Sequence, residues 1–216
     1  MLVFACLIGV TSSTVDANTG TAPAIPETAA TEGASKPYLY PSMDPANTLA
    51  GEALIAALRK GGYMLYMRHT ETGTITPMCG VSNLTPRGER DAARVGKALQ
   101  SLGIPIERIA SSPVCRVQDT ARNLSLGGHE VLEGLSNEST RAEFDVHAAR
   151  GKLLATQPGV EKNVLLVSHM HGGNDLSQAI YLDFGEIVVF RPDGKGGNAA
   201  VARVRVDEWA NLAKVR

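Results

Sequence analysis

The chain has 216 residues, 44% of them apolar and 20% charged, with a formal net charge of −1. That length suits one cored domain with an appendage, and so even a charge balance argues against a nucleic-acid partner or any polyanion-binding surface. No apolar run is long enough to span a bilayer, so a mature chain is expected to have no transmembrane span, and no internal repeat is present.

Residues 1–10 are apolar, with Leu2, Val3, Phe4, Leu7 and Ile8, and small polar residues then lead to Val15-Asp16-Ala17. This matches a secretory signal over 1–17 whose basic n-region is missing, which implies a start codon upstream of Met1. The other reading is a disordered apolar N-terminus. Residues 18–47 are rich in Thr, Ala, Pro, Glu and Ser and lack apolar periodicity, the composition of a flexible linker. The folded domain is then 48–216. With a signal the expected location is periplasmic or secreted; without one it is cytoplasmic.

Within the domain, 48–60 has helical spacing and ends at Gly61-Gly62. The apolar run 63–67 reads as a strand buried on both faces, and Arg68-His69 stands where it should end. After a loop over 74–83, Thr85 as N-cap and Pro86 as first helical residue open a helix reaching Leu102. Gly88 and Gly96 inside it weaken a helix, Gly96 by about 1 kcal/mol against Ala. A strand over 104–110 leads to Ser111-Ser112-Pro113, then a helix over 114–124, a short strand over 130–132 and a helix over 140–154. A second strongly apolar strand, 163–167, ends in Ser168-His169, followed by a loop and helix over 171–180. Segments 186–190 and 199–206 flank a Gly-rich turn as a hairpin, and Trp209 and Leu212 suggest a closing helix. Strands alternating with helices define an α/β fold with a mostly parallel sheet, mixed because of the hairpin.

Three predicted strands end in polar groups of one kind: Arg68-His69, Ser111 to Arg116, and Ser168-His169. Parallel strands bring such ends to one edge of a sheet, where open α/β folds bind ligands. Two guanidiniums and two imidazoles in one pocket call for an anion. Arginine's planar fork suits phosphate, Thr72 can add a hydroxyl, and an imidazole neutral at pH 7 can attack phosphorus.

These segments carry a resemblance. Arg68-His69-Thr70, Asn83-Leu84-Thr85-Pro86-Arg87-Gly88, Ser111-Ser112-Pro113-Val114-Cys115-Arg116 with Thr120-Ala121, and Ser168-His169 in an apolar strand resemble, in order, the motifs of the histidine phosphatase superfamily, the phosphoglycerate-mutase-like group. Val189-Phe190-Arg191-Pro192-Asp193-Gly194 resembles a bacterial exported subgroup. The resemblance implies a three-layer αβα sandwich, a small phosphorylated substrate, no cofactor and no metal. It implies that His69 is the nucleophile that becomes phosphohistidine, that Arg68 and Arg116 hold the phosphoryl oxygens, and that His169 stabilises the transition state.

The chain departs from the family at three points. Thr70 stands where Gly is usual, no Asn stands near Ile75, and the acidic proton donor has no clean counterpart. Glu138 and Glu143 are its candidates by location alone, while Glu71 reads as structural. His169-Met170-His171 is an H-x-H pair that with His69 would form a metal set, but the arginines would repel a cation. In an exported chain Cys79 and Cys115, both beside motif loops, are a candidate disulfide. His129 and His147 lie outside the motifs and read as surface or satisfied histidines. The expected function is hydrolysis of a phosphomonoester or phosphoramidate. The alternatives are a mutase and a non-catalytic phosphate-binding envelope module.

Overall fold

The computed structural model describes residues 43–76, 78–137, 144–172 and 180–213. The expected signal, and the expected linker as far as residue 42, lie outside them. The end of that linker is structured: Pro45–Asn47 forms a 3-10 turn whose N-cap, Asp44, accepts from the Ala46 amide at 3.0 Å.

Helix α1 (Gly51–Lys60) turns Leu54, Ile55 and Leu58 inward and stops at Gly61, whose φ is 79°. Strand β1 (Met64–Arg68) follows. Helix α2 (Pro86–Ser101) starts as its sequence dictates, with the Thr85 hydroxyl accepting from the Gly88 amide at 2.9 Å. Then come β2 (Ile106–Ser111), α3 (Cys115–Asn123), β3 (Glu130–Val131), a 3-10 turn at Glu133–Leu135, α4 (Val146–Ala155) and β4 (Asn163–Ser168). Strands β5 (His171–Gly172) and β6 (Ile180–Tyr181) form a small antiparallel pair. The chain closes with β7 (Ile187–Pro192), β8 (Asn198–Val204) and α5 (Val206–Leu212).

Two expectations need correction. Helix α4 begins at Val146, because the Asp145 carboxylate caps it by accepting from the His147 and Ala148 amides; residues 140–143 lie outside the described residues. The segment expected as loop and helix over 171–180 is bounded by strand at both ends, where His171 and Gly172 pair with Tyr181 and Ile180; 173–179 lie outside the described residues.

Six strands make one mixed sheet in the order β3-β2-β4-β1-β7-β8. β3, β2, β4 and β1 are parallel neighbours, and β7 and β8 add antiparallel at one side. Alternate residues of β1, β4 and β7 face opposite ways. Leu65, Met67, Leu165, Val167, Ile187 and Val189 enter one core with α1, α2, α3 and α5. Met64, Tyr66, Val164, Leu166, Val188 and Phe190 enter a second core with Leu135 and with Leu154 of α4. The result is the expected three-layer αβα sandwich, and β1 and β4 are buried on both faces because helices cover both.

The glycines that weaken α2 have a packing reason. A Cβ on Gly96 would lie 1.8 Å from the Leu124 carbonyl oxygen at the end of α3, and one on Gly88 would lie 2.1 Å from the Glu71 carbonyl oxygen. Backbone meets backbone there, so the neighbour cannot yield as a flexible side chain would. Gly96→Ala is therefore expected to destabilise the fold by about 2 kcal/mol or more, even though Ala is the better helix former by about 1 kcal/mol. Thermal unfolding checks this. A midpoint equal to or above that of the parent would mean that α2 and α3 stand further apart.

Candidate active site

The sheet register assembles the site. Arg68 lies opposite Ser168 across the β1–β4 ladder, and Ser111 lies opposite Val167 across β2–β4. The residues that follow, His69, His169 and Ser112, therefore emerge at one edge. The His69 amide donates to the Ser168 carbonyl at 2.9 Å, and the Ser112 amide donates to the Val167 carbonyl at 3.1 Å. The two imidazoles stand edge-on with centroids 5.8 Å apart.

Arg116, in the first turn of α3, ties them together. Its Nε donates to His69 Nε2 at 3.1 Å, and its Nη2 donates to His169 Nδ1 at 3.3 Å. Because a guanidinium is donor-only, both ring nitrogens facing it are lone-pair acceptors. His69 Nδ1 then carries the proton and donates to the Thr70 carbonyl at 2.9 Å. His169 Nε2 carries its proton and donates to the Ser112 hydroxyl at 3.0 Å. That hydroxyl lies 3.5 Å from the Ser136 hydroxyl, and the buried Arg150 donates to the Ser136 carbonyl at 2.5 Å. Burial, with Arg116 and Arg68 nearby, pushes the His69 pKa down to about 4 despite the Thr70 hydrogen bond. Burial, then the charges of Arg116, His69, Arg150 and Arg68, push His169 down to about 3. Both rings are neutral at pH 7.

Arg68 donates from Nη1 to the Leu182 carbonyl at 2.7 Å, and its guanidinium lies 3.9 Å from the centroid of the Phe184 ring. Phe184 also stands 5.6 Å from the His69 ring. The Arg68 Nε is buried with no hydrogen-bond partner among the described residues, a donor that an oxyanion would satisfy. Burial lowers the Arg68 pKa, and Arg116 lowers it further. Beyond Arg68 and Phe184 opens a cleft of about 630 Å³ whose other walls include Arg87, Asp91 and Arg94. These three are ion-paired among themselves at 3.2–3.5 Å.

Thr70 replaces the family's glycine without strain. It is fully buried, its amide donates to the Thr120 hydroxyl at 3.1 Å, and its methyl faces Gly185, where an added Cβ would approach it to 3.2 Å. Thr70 therefore fastens the end of β1 to α3.

Thr72 lies outside the Arg–His cluster, bridged to Leu84 at the neck of the loop that follows. Asn83 shapes that loop, its side-chain oxygen accepting from the Thr76 amide at 2.5 Å, and Cys79 is disulfide-bonded to Cys115 beside Arg116. Glu71 accepts from the Thr85 hydroxyl at 2.7 Å and so supports the start of α2. His129 precedes β3, and His147 sits in the first turn of α4. Both candidate proton donors, Glu138 and Glu143, lie outside the described residues, as does the His171 side chain of the H-x-H pair. Among the described residues no three His, Cys, Asp or Glu side chains gather as a metal set, and no helix is long and apolar enough to cross a membrane.

Three contributors have roles that the sequence does not signal. Ser112 sits in a motif, but its bond to His169 depends on how β2 ends beside β4. Ser136 arrives from a 3-10 turn. Phe184 comes from a segment whose conformation the sequence leaves open.

A phosphate-sized anion is what this cluster fits: two guanidiniums around two neutral imidazoles, at the carboxyl ends of the parallel strands β1, β2 and β4. Residues 65–136 match the family model of the histidine phosphatase superfamily (branch 1). Among solved structures, the protein histidine phosphatase SixA in complex with tungstate is similar at 18% identity, over 67% of this chain and 97% of that one, with a TM-score of 0.51. A phosphoserine phosphatase from Entamoeba histolytica bound to phosphoserine is similar at 15% identity (68% and 98% covered, TM-score 0.45), and the alpha-ribazole phosphatase from Shigella flexneri at 15% (64% and 94%, TM-score 0.44). No curated protein sequence matches the chain. The match to the histidine phosphatase superfamily model thus covers the stretch that carries His69 and Arg116, and the fold is shared with the SixA structure.

The depressed imidazoles make stability depend on pH. Unfolded histidines take up protons near 6.5, whereas His69 and His169 stay neutral to about 4 and 3. Between those values the unfolded state binds more protons, so stability is expected to fall as pH drops from about 6.5 toward 4. Thermal unfolding across that range checks this, and His169→Asn should flatten the slope. An unchanged slope in that variant would mean that His169 is not held neutral.

Proposed function

We propose that the protein hydrolyses a phosphomonoester or phosphoramidate through a phosphohistidine on His69. The supporting observation is the tautomer of His69: Nδ1–H is held by the Thr70 carbonyl, leaving the Nε2 lone pair facing Arg116. Nε2 attacks phosphorus, the N–P bond forms as the bond to the leaving group breaks, and the leaving group takes a proton. Glu138 or Glu143 is the proposed donor of that proton. Water then attacks the phosphorus of phosphohistidine, passing a proton to the carboxylate left by the first step, the N–P bond breaks, and inorganic phosphate leaves. Arg68, Arg116 and His169 offset the charge that develops on the phosphoryl oxygens, so the pocket's own cations serve where other phosphoryl-transfer enzymes use metal. Thr72 is a lesser candidate contact.

Incubation of the purified chain with phosphoserine, aryl phosphate and phosphohistidine, in chelator, tests this by release of inorganic phosphate. Release from at least one is expected. Phosphate binding without release from any of them would instead make the chain a non-catalytic phosphate-binding module. Zinc-dependent activity would return the H-x-H pair to consideration.

We further propose export, with residues 1–17 as the signal. The apolar leader supports this, as does the Cys79–Cys115 disulfide, a bond suited to an oxidising compartment. Mass spectrometry of the native protein tests it. An N-terminus near Asn18 in the envelope fraction is expected, and an intact Met1 in the cytosol would refute it.

A further inference from the structure

Large apolar side chains left in water are informative when they cluster. Among the described residues eight are exposed; Val160 stands away from the active site in the chain, and Val131 ends β3 opposite Ser111. The others fall on segments that border it.

Ile75, Met78 and Val81 are 62%, 67% and 52% exposed. They belong to the loop that leaves the site just after His69-Thr70 and returns at Leu84, where Thr72 bridges it. Its tip carries Cys79, bonded to Cys115, and Cys115 immediately precedes Arg116. The disulfide therefore ties the tip of this loop, where Met78 adjoins Cys79, to the residue before the guanidinium that reaches both imidazoles. On the other side Phe184 touches Arg68 and His69, Met170 directly follows His169, and the Met170 carbonyl accepts from the Leu182 amide, next to Tyr181. An apolar collar thus borders a cationic pocket.

Resting on the phosphatase reading above, we propose that the collar selects the substrate's leaving group, and that the substrate is a phosphate monoester of an apolar alcohol. Charge complementarity places the phosphate between Arg68 and Arg116. The hydrocarbon next to it then lies on Ile75, Met78 and Val81, where it removes apolar surface from water. The neighbouring cleft suits this hydrocarbon less, because its walls carry ion-paired Arg87, Asp91 and Arg94.

Hydrolysis of ethyl, butyl, hexyl and octyl phosphate, below their micelle thresholds, tests the proposal. kcat/KM is expected to rise at least about tenfold from ethyl to octyl, which needs only a fraction of each methylene to be buried. In Ile75→Ser/Met78→Ser/Val81→Ser the rise should shrink below about threefold while ethyl phosphate turnover stays unchanged; these side chains are solvent-exposed, so the fold should tolerate them. A flat series in the parent protein overturns the proposal. Sedimentation and limited proteolysis would then show whether a second copy or residues 1–42 cover the collar. If no ester is turned over, the phosphatase reading fails separately, and binding of the non-hydrolysable ethyl- and octylphosphonates decides. Tighter binding of octylphosphonate upholds the collar, and equal binding overturns it. Phosphatidic acid in phosphatidylcholine vesicles separates the sources of such an ester. Its turnover assigns a lipid surface, and turnover of octyl phosphate alone assigns a soluble ester; both uphold the proposal.

Discussion

Replacing His69 with alanine is expected to lower turnover by about 10⁴-fold or more, the scale of losing the nucleophile of a covalent mechanism. The fold should survive. His69 stands past the last residue of β1, outside both hydrophobic cores. Its ring makes two hydrogen bonds, one to the Thr70 carbonyl and one from Arg116. In the folded protein its pKa is depressed, so losing it removes a group whose charging favours unfolding at acid pH. The check has two parts. Steady-state turnover should fall to the level of the uncatalysed reaction plus what the remaining cations supply. Parent protein quenched with alkali after mixing with labelled substrate should carry an acid-labile phosphoryl group that the Ala variant lacks. Turnover that persists in His69→Ala, or a phosphoryl group that stays on the variant, would place the nucleophile elsewhere.

The sequence reveals the parts of this molecule that repeat a physical pattern. The runs ending at Met67 and Val167 are apolar at every position, which only a strand covered on both faces requires, and β1 and β4 are such strands. Thr85-Pro86 announces the start of α2 because capping chemistry is local. The class of the site is readable for a related reason: cationic and imidazole groups at the ends of parallel strands must converge once the strands pair in register. What is not readable depends on contacts between distant segments. Nothing near Gly96 in sequence says that Leu124 lies against it. Thr70 looks like a defect in a motif until its hydrogen bond to Thr120 and its packing on Gly185 are visible. The start of α4 illustrates a different failure. Ala142, Val146, Ala149 and Leu153 share a helical spacing, yet Asp145 caps the helix one residue before Val146, and apolar periodicity does not report that.

Arg116→Ala is expected to cost about 10²- to 10³-fold in kcat, the usual effect of removing one preorganised donor from a developing oxyanion. Arg116→Lys should recover little of it. A lysine retains the charge, but one ammonium cannot present two N–H groups in the plane that reaches both His69 Nε2 and His169 Nδ1. A second readout distinguishes this role from a merely structural one. Burial is the main cause of both low imidazole pKa values, and the Arg116 charge is the next lowering influence on each ring. Removing it should therefore raise both pKa values, only partway back toward 6.5 because burial persists. Arg116→Lys should leave them low if the ammonium stays near the rings. NMR titration of the imidazoles measures this directly, beside kcat and KM for the same variants. Loss of kcat with both titrations unmoved would mean that Arg116 supports α3 rather than the reacting phosphoryl group.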